Sequence, residues 1–367
     1  MAREDLAFWL RLVLTPGVGN ETARKLLAAF GLPSAIFQQS ATALRSVASE
    51  RLAAALLSPL AEFEAAWANL QTWLDAAPNR HLITLGDERF PPLLLQMADP
   101  PLMLYVIGDL EALAHPHKIA IVGSRNPTPQ GQINAQQFAA ALGSAGLCVV
   151  SGLALGVDGA AHEGALQAGA RTIAVVGTGL DRVYPKRHFD LAHHIAAEGG
   201  AIVSEYPLGT PPLPPHFPQR NRIIAGLAQG TLVVEAAVAS GSLITARLAS
   251  EMGREVFAIP GSIHAPQARG CHALIRQGAK LVESAQDVLE DLQLTPAETS
   301  LFDAPTETPS DPDGLLKAMG FDPVSLDALQ ARTGLDTATL QAKLLELELE
   351  GQVGRLPGGL LQRTAQS

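Results

Sequence analysis

The sequence predicts an α/β protein whose core is a parallel sheet covered by helices on both faces. Six short β-branched runs in the middle of the chain alternate with Ala-rich stretches of helical length. The runs are apolar at consecutive rather than alternating positions, which indicates strands buried on both faces. They are KIAIVGS (118–124), LCVVSG (147–152), TIAVVGTG (172–179), AIVSEY (201–206), TLVVEAA (231–237) and EVFAIPG (255–261). Together they predict a Rossmann-like parallel sheet core.

A small helical domain is expected before the sheet, over residues 1–75. The stretch LTPGVGNETARKLLAAFG (14–31) is typical of a glycine-rich turn followed by a capped helix, as in SAM-like and helix-hairpin-helix-like domains. The sheet domain is then predicted to occupy residues 76–293.

A linker and a winged helix are predicted after the sheet. Residues 294–313 are rich in Pro, Thr and acidic residues and have little to bury, which is typical of a linker. Residues 314–367 contain three helical segments followed by QVGRLPGGLLQR, which predicts a β-hairpin with Gly358 and Gly359 at its turn. Three helices and a hairpin indicate a winged helix.

Composition predicts a soluble protein of the cytoplasm. The 367-residue chain has no apolar run of membrane-spanning length, and four charges among its first eleven residues interrupt the apolar core that a signal peptide needs. Cys148 and Cys271 are too few for a disulfide framework or a cysteine-rich zinc site, which fits a reducing compartment. Cys148 lies in an apolar run and is expected to be a buried small hydrophobic residue.

Acidic residues are concentrated in the two flanks of the chain. The formal net charge is -10, yet residues 115–291 carry 13 Lys+Arg and 13 Asp+Glu. Residues 1–114 have a net charge of -4, and residues 292–367 have -6. An anion-binding surface therefore has to be local, and we expect it in the neutral middle segment.

Small residues follow four of the predicted strands, at the edge where an open parallel sheet binds its ligands. One such turn is explained by strand-to-helix geometry alone, but four of them with an arginine at a strand end favour a phosphate site. Gly152, Gly156 and Gly159 are too widely spaced for a dinucleotide fingerprint, so a nicotinamide dehydrogenase is disfavoured. No cofactor and no metal site are predicted. The four strand ends read GSR (123–125), SGLALGVDGAAH (151–162), GTGLD (177–181) and ASGSLITA (239–246).

Two arginines flank Asn221 at the start of the stretch NRIIAGLA. If this stretch opens a helix that packs on the sheet, Arg220 and Arg222 lie at its exposed first turn, beside the strand ends. Cations oppose the dipole at the start of a helix, so this placement indicates an anionic partner. Asn221 either holds the turn or contacts a base.

Asp158 and His162 are one helical turn apart, which is a spacing that permits an acid/base pair. The structural alternative is favoured, in which Asp158 caps the helix and His162 packs or hydrogen-bonds near it. No nucleophile accompanies them in the sequence.

Six ordered blocks over about residues 85–290 resemble one family, the DNA processing protein A family (DprA, also called Smf). The blocks are GSR, SGLALGVDGAAHEGAL, GTGLDRVYP, SEYPLGTPPLPPHFPQRNRIIAGLA, VVEAAVASGSLITARLASEMGREVFAIPG and GCHALIRQGAKLV. This resemblance implies a non-enzymatic, homodimeric binder of single-stranded DNA. Such a protein protects incoming strands and helps to load the RecA recombinase during natural transformation.

The resemblance also implies which residues contact DNA. The anion pocket is expected at two loops. The positive charges that contact the backbone of the DNA strand are expected at three further side chains. Phe217 and Tyr184 are the candidates for base stacking near the pocket, and each is equally explained as a core residue. The anion pocket comprises Gly123, Ser124, Arg125, Ser240, Gly241, Ser242 and Thr245; the positive charges are Arg220, Arg222 and Lys186.

The chain departs from the family pattern at one position. Gly270, Cys271 and His272 stand where the family usually has Gly-x-Asn, which puts a polar contact from that position in doubt.

The two flanking domains are expected to contribute little to DNA binding. The net charge of -4 over residues 1–114 favours a structural or protein-contact role for the helical domain. The candidate recognition helix of the winged helix, residues 335–350, has Lys343 against four acidic residues, so protein contact or no strong DNA binding is predicted there. The four are Asp336, Glu346, Glu348 and Glu350.

Two other functions remain as alternatives. One is a nucleotide-processing Rossmann enzyme similar to the lysine-decarboxylase-like phosphoribohydrolases, in which Glu235 would be catalytic. That group's signature is P-G-G-x-G-T-x-x-E, whereas Glu235 precedes the glycine and Thr245 follows it here, so the pattern fails. The other is a structural adaptor that acts through its flanking domains alone.

Overall fold

The computed structural model describes residues 3–294, 314–320, 323–356 and 359–364. Within them the chain forms a helical domain, a nine-stranded mixed sheet with helices on both faces, and a winged helix. The predicted fold class is therefore confirmed. Among the described helices, none is both long and apolar enough to cross a membrane.

Six helices form the N-terminal domain. A turn at residues 15–19 joins the first two, and Gly17 adopts a φ of 82° there. Trp9 and Trp73 of this domain belong to the same hydrophobic cluster as Tyr105 and Val176 of the sheet domain, so the helices pack directly on one face of the sheet. The helices are α1 (Arg3–Leu14), α2 (Asn20–Phe30), α3 (Pro33–Ile36), α4 (Ala41–Arg45), α5 (Glu50–Leu57) and α6 (Phe63–Asp75).

The sheet contains the six predicted runs as β3 to β8, in the spatial order β1-β2-β6-β5-β4-β3-β7-β8-β9. The strands β3 to β9 are parallel with one another. At one edge of the sheet, β2 pairs with β6 and β1 pairs with β2, and both pairs are antiparallel. The strands are β1 (Arg80–Thr84), β2 (Met103–Gly108), β3 (Lys118–Val122), β4 (Cys148–Ser151), β5 (Thr172–Val175), β6 (Ala201–Ser204), β7 (Gly230–Val233), β8 (Glu255–Ala258) and β9 (Lys280–Leu281).

Alternate residues of the central strands enter different cores. Ala120 and Val122 of β3 belong to one buried cluster, while Ile119 and Ile121 belong to another on the opposite face. Cys148 is a buried free thiol, as expected. The helices that cover the faces are α7 (Pro92–Leu95), α8 (Leu110–Ala114), α9 (Pro129–Ser144), α10 (Val157–Gln167), α11 (Phe189–Ala197), α12 (His216–Leu227), α13 (Ser242–Glu251), α14 (Arg269–Arg276) and α15 (Ala285–Asp291).

The strand order creates a topological switch point between β3 and β7. From β3 the chain moves to β4 on one side, and from β7 it moves to β8 on the other, although β3 and β7 are direct neighbours. The loops that follow these two strands therefore diverge and leave a crevice at their carboxyl ends.

The winged helix has its own core, which includes Leu316, Leu340 and Leu361. Its hairpin packs on the sheet domain, where Gly354 of the first hairpin strand meets Pro129 of α9. The predicted turn residue Gly358 and residues 295–313 of the predicted linker lie outside the described residues. The elements are α16 (Leu315–Met319), β10 (Val324–Ser325), α17 (Leu326–Thr333), α18 (Thr337–Leu349), β11 (Val353–Leu356) and β12 (Leu360–Arg363).

Candidate functional site

A cavity of about 520 Å³ opens at the switch point between β3 and β7. Its walls come from the loop after β3, the loop after β7 and the first turns of α12 and α13. The structure brings ten of the twelve predicted site residues together around it, while Lys186 and Arg222 are not part of its lining. The ten are Gly123, Ser124, Arg125, Phe217, Arg220, Asn221, Ser240, Gly241, Ser242 and Thr245.

The loop after β3 turns sharply into the cavity. A Cβ at Gly123 would lie 2.7 Å from the Val157 side chain and 2.9 Å from the Glu235 carbonyl oxygen, so only glycine fits there. The Ser124 carbonyl accepts a hydrogen bond from the Val157 amide at 3.1 Å, which fixes the turn. Arg125 follows as an exposed side chain at the rim.

Backbone donors remain available on both loops. Among the described residues, the amides of Ser124, Arg125, Ala239 and Gly241 donate no hydrogen bond, and all four residues line the cavity. Unpaired amides at the lining of a cavity form a favourable environment for an anion. The phosphate site expected from the sequence would use these donors.

The start of α13 contributes hydroxyl groups and a dipole. The Ser240 hydroxyl bonds the Ser242 hydroxyl at 2.7 Å and also accepts from the Ser242 amide at 3.3 Å. The next two amides donate to the carbonyls of Ser240 and Gly241, so the helix offers an anion its N-terminal dipole rather than its first amides. The Thr245 hydroxyl makes no hydrogen bond to any described residue.

Arg220 is buried, which corrects the expectation of an exposed first-turn arginine. The helix α12 begins at His216, five residues before the expected start at Asn221, so Arg220 lies one turn inside it and is 4% exposed. Its Nη1 donates to the Val175 carbonyl at the end of β5. Burial lowers the pKa of its guanidinium to about 10, against the attraction of the nearby Asp158 carboxylate.

Arg222 points away from the cavity, so the prediction that it adds charge there is wrong. It forms an ion pair with Glu205, and its Nη1 donates to the Asp99 carbonyl at 2.8 Å. Two residues along a helix correspond to a rotation of about 200°. Arg220 and Arg222 therefore cannot face the same ligand.

Asn221 lies inside α12 and contacts a neighbouring loop instead of holding the turn at its own helix start. Its side-chain amide donates to the Gly241 carbonyl at 3.3 Å and so ties α12 to the loop before α13. The same residue lines the cavity.

The two predicted stacking residues form a pair at the rim. The rings of Tyr184 and Phe217 lie 5.5 Å apart, and the Arg125 guanidinium lies 5.7 Å from the Phe217 ring centre. Lys186 is exposed on a one-turn 3₁₀ helix, Lys186–His188, two residues beyond Tyr184. Lys186 therefore lies outside the cavity, on the same segment as Tyr184.

Sequence reasoning missed two exposed residues of that segment. Arg187 and Phe189 follow Lys186, and Phe189 is 53% exposed although it is a large apolar side chain. The alternation of rings and cations in YPKRHF was the available signal, because exposed aromatic residues between cations are typical of single-stranded nucleic-acid surfaces.

Asp158 and His162 have structural roles, as favoured from the sequence. Asp158 accepts hydrogen bonds from the amides of Gly152 and Ala154 at 3.1 and 3.3 Å, so it holds the loop before α10 rather than capping the helix itself. The fully buried His162 bonds the Thr172 hydroxyl at 2.7 Å. Burial lowers its pKa to about 3.

Glu235 and His272 make contacts away from the cavity. Glu235 accepts from the Thr128 amide at 2.9 Å and from the Thr128 hydroxyl at 2.6 Å, which anchors the start of α9. His272 bonds the Gly261 carbonyl at 2.9 Å and holds a loop near α14. Within the described ranges no cluster of three His, Cys, Asp or Glu side chains is placed to hold a metal ion.

Two family models match the chain. The model for DNA recombination-mediator protein A matches residues 81–293, and the model for the DprA winged helix domain matches residues 296–359.

Curated relatives extend these matches. Protein Smf of Escherichia coli (strain K12) is 45% identical over 299 residues, which cover 79% of this chain and 79% of that protein. DNA processing protein DprA of Streptococcus pneumoniae is 49% identical over 207 residues, which cover 56% of this chain and 72% of the relative.

Two solved structures are similar in fold. The crystal structure of DNA processing protein A from Streptococcus pneumoniae superposes with a TM-score of 0.66 at 38% identity and covers 79% of this chain and 98% of that one. DNA processing protein A from Helicobacter pylori, described for its single-stranded DNA binding mode, gives a TM-score of 0.53 at 33% identity and covers 58% of this chain and 96% of that one.

Proposed function

The chain belongs to the DNA recombination-mediator protein A family, and on that premise we propose that it binds single-stranded DNA at the switch-point cavity. It acts in the cytoplasm as a recombination mediator that protects incoming strands and helps to load the RecA recombinase during natural transformation. The Helicobacter pylori relative, whose structure is described for single-stranded DNA binding, supports the choice of ligand.

One arrangement carries the proposal: a cation, a ring and free amides lie side by side at the cavity. Arg125 lies over the Phe217 ring, and its own amide and that of Ser124 are unpaired among the described residues. Phosphates of any sequence are attracted by the cation and the amides, and any base can stack on the ring. This combination suits a strand without sequence preference.

A path away from the cavity is supplied by the segment of residues 184–189. Tyr184 contacts Phe217, and beyond it Lys186 and Arg187 are exposed cations next to the exposed Phe189 ring. We include Arg187 and Phe189 in the proposed binding track, together with the predicted Lys186.

The proposed homodimer has a suitable surface at the free edge of the sheet. The last strand, β9, ends the strand order, and beside it an apolar groove of about 640 Å³ includes Val238, Ile275 and Leu281. Val238 is 68% and Leu281 49% exposed, whereas large side chains of this kind are normally buried. A second copy that covers the groove would bury this surface and bring two DNA sites together.

The contacts of Glu235 support a binding protein rather than an enzyme. In the phosphoribohydrolase alternative this carboxylate would act on a nucleotide in the cavity, but both of its oxygens accept hydrogen bonds from Thr128 and it does not line the cavity.

Fluorescence anisotropy with labelled oligo-dT and a duplex of equal length tests the proposal. We expect tighter binding of the single strand, and a loss of about 1–3 kcal/mol of binding free energy in Phe217→Ala because a stacking platform is removed. Phe63→Ala, which also truncates a half-buried ring but lies in the N-terminal domain, is the control. Equal affinity for the duplex and no effect of Phe217→Ala would refute the proposed site.

The mediator step is tested separately by RecA filament assembly on oligo-dT that is already covered by a single-stranded DNA-binding protein. We expect the wild-type chain to accelerate assembly and Phe217→Ala to lose this effect. Hydrolysis of a nucleoside monophosphate by the purified chain would instead favour the enzyme alternative.

A further inference from the structure

The side chains that line the switch-point cavity lie at two depths. At the rim, Arg125 is exposed and Phe217 is half-buried. At the floor, Arg220, Ser242 and Thr245 are all buried, with 4%, 7% and 1% of their surface exposed. All five residues line the same cavity.

The floor contains donors that no described residue uses. Arg220 makes one hydrogen bond to a described residue, from Nη1 to the Val175 carbonyl, so its Nη2 has no partner among those residues. The Thr245 hydroxyl is also without a partner there. A buried guanidinium that lacks hydrogen-bond acceptors is unfavourable, so the floor is a place where an anionic oxygen gains more than at the surface.

The Asp158 carboxylate does not accept hydrogen bonds from these donors. It lines the cavity and lowers the local positive charge, but it accepts from the amides of Gly152 and Ala154 instead of from Arg220. The guanidinium therefore keeps donors for a ligand while its charge is partly balanced. The ten-residue helix α13 directs its N-terminal dipole at the same floor.

Depth distinguishes two kinds of phosphate. An internal phosphodiester enters a cavity with the strand continuing on both sides. A terminal phosphate has one ester link and can enter end-on. It also carries a charge of about -1.5 to -2 near neutral pH, against -1 for a diester.

We propose that the cavity floor binds the terminal phosphate monoester of a DNA strand, so that the protein captures strand ends in addition to tracking internal phosphates at the rim. Arg220 and Thr245 donate to the terminal phosphate oxygens, and the free amides of Ala239 and Gly241 complete the site. This inference rests on the proposed binding of single-stranded DNA.

Matched oligo-dT probes test the inference. Three probes of one length carry a 5′-phosphate, a 3′-phosphate or hydroxyl groups at both ends, and their affinities for the full chain are measured at one salt concentration. We expect one of the phosphorylated probes to bind about tenfold more tightly than the hydroxyl-ended probe, because a charge-assisted hydrogen bond is gained at the floor. Inorganic phosphate should reduce that difference.

Two variants and one control assign the effect to the floor. Arg220→Gln and Thr245→Val should both lose the preference for the phosphorylated end, and Thr245→Val keeps the test valid if Arg220→Gln does not fold. Arg222→Gln should retain the preference, since Arg222 has the same charge and helix but faces Glu205.

The outcomes separate the inference from the function on which it rests. If the hydroxyl-ended probe binds and neither phosphate adds affinity, or if the preference survives in both floor variants, end capture at the cavity floor is wrong and the proposed strand binding stands. If no probe binds, the proposed function fails and the inference fails with it.

Discussion

The switch-point cavity and the helix α18 of the winged helix are both places where DNA-binding proteins put their cations, yet α18 has one cation, Lys343, among several acidic residues. The cavity has Arg125 at its rim and Arg220 at its floor, with free backbone amides between. On α18, by contrast, Leu345 and Leu349 are 52% and 82% exposed and Glu346 is exposed beside them. A winged helix fold therefore does not by itself assign DNA binding; the side chains it presents do.

Two further features of the winged helix are consistent with this difference in charge between α18 and the cavity. Ala338, Ala342, Leu345 and Leu349 recur at helical spacing and form an exposed apolar stripe on α18. Arg355 of the hairpin pairs with Glu348 at 2.9 Å instead of facing solvent alone. Such a surface is typical of protein contact, one of the two outcomes predicted from the sequence together with the absence of strong DNA binding.

Removal of Arg220 should have the largest effect on the cavity itself. Arg220→Ala removes the bond from Nη1 to the Val175 carbonyl and the charge near the buried Asp158 carboxylate, so we expect a loss of about 3 kcal/mol in the free energy of unfolding. Urea denaturation measures it. Asp158→Asn added to Arg220→Ala should recover part of the loss, and a double variant no more stable than the single one would contradict this account.

Acid should weaken the sheet domain through His162. His162 is neutral in the folded state because its pKa is about 3, while its ordinary value is 6.5. As the pH falls below 6.5 the unfolded chain binds a proton that the folded chain excludes, so stability decreases by about 1.4 kcal/mol per pH unit until the pH approaches 3.

The measurement compares unfolding of the wild type and His162→Asn between pH 7 and pH 4. The variant should show a smaller decrease with falling pH. Residues 314–367 contain no histidine, so unfolding of the winged helix should lack this dependence. Identical pH profiles for the two proteins would show that His162 is not the group responsible.

Changes on α18 should have the smallest effects. Leu345→Asp with Leu349→Asp alters only exposed side chains, so we expect a change within about 0.5 kcal/mol in the free energy of unfolding. Oligo-dT affinity should stay within the error of the anisotropy measurement. A clear loss of affinity would show that the winged helix shares in DNA binding.

Residues at strand ends were placed correctly from the sequence because the topology of a parallel sheet decides where they meet. Gly123 and Ser240 are far apart in the chain, but the carboxyl ends of β3 and β7 bring their loops together. Buried strands leave a clear apolar signature, so both ends could be located without a structure.

The orientations of Arg220 and Arg222 could not be predicted, because the sequence did not show where α12 begins. The segment PPHFPQ suggests an extended chain, yet α12 begins at His216 and accommodates Pro218 in its first turn, where proline is tolerated. Because the helix begins five residues before Asn221, Arg220 lies in the core and not at the surface as expected. Partners far along the chain, such as Glu205 for Arg222, leave no local signal at all.

The salt dependence of oligo-dT binding tests most directly whether the cavity, and not the winged helix, contacts the phosphates. Arg125→Ala is compared with Lys343→Ala, which removes one positive charge from α18. We predict that Arg125→Ala weakens binding and reduces the slope of log affinity against log salt by about 0.7, the value for one lost phosphate contact on a single strand. Lys343→Ala should leave both quantities unchanged. The opposite pattern, with the slope reduced by Lys343→Ala and intact in Arg125→Ala, would contradict the assignment of DNA binding to the switch-point cavity.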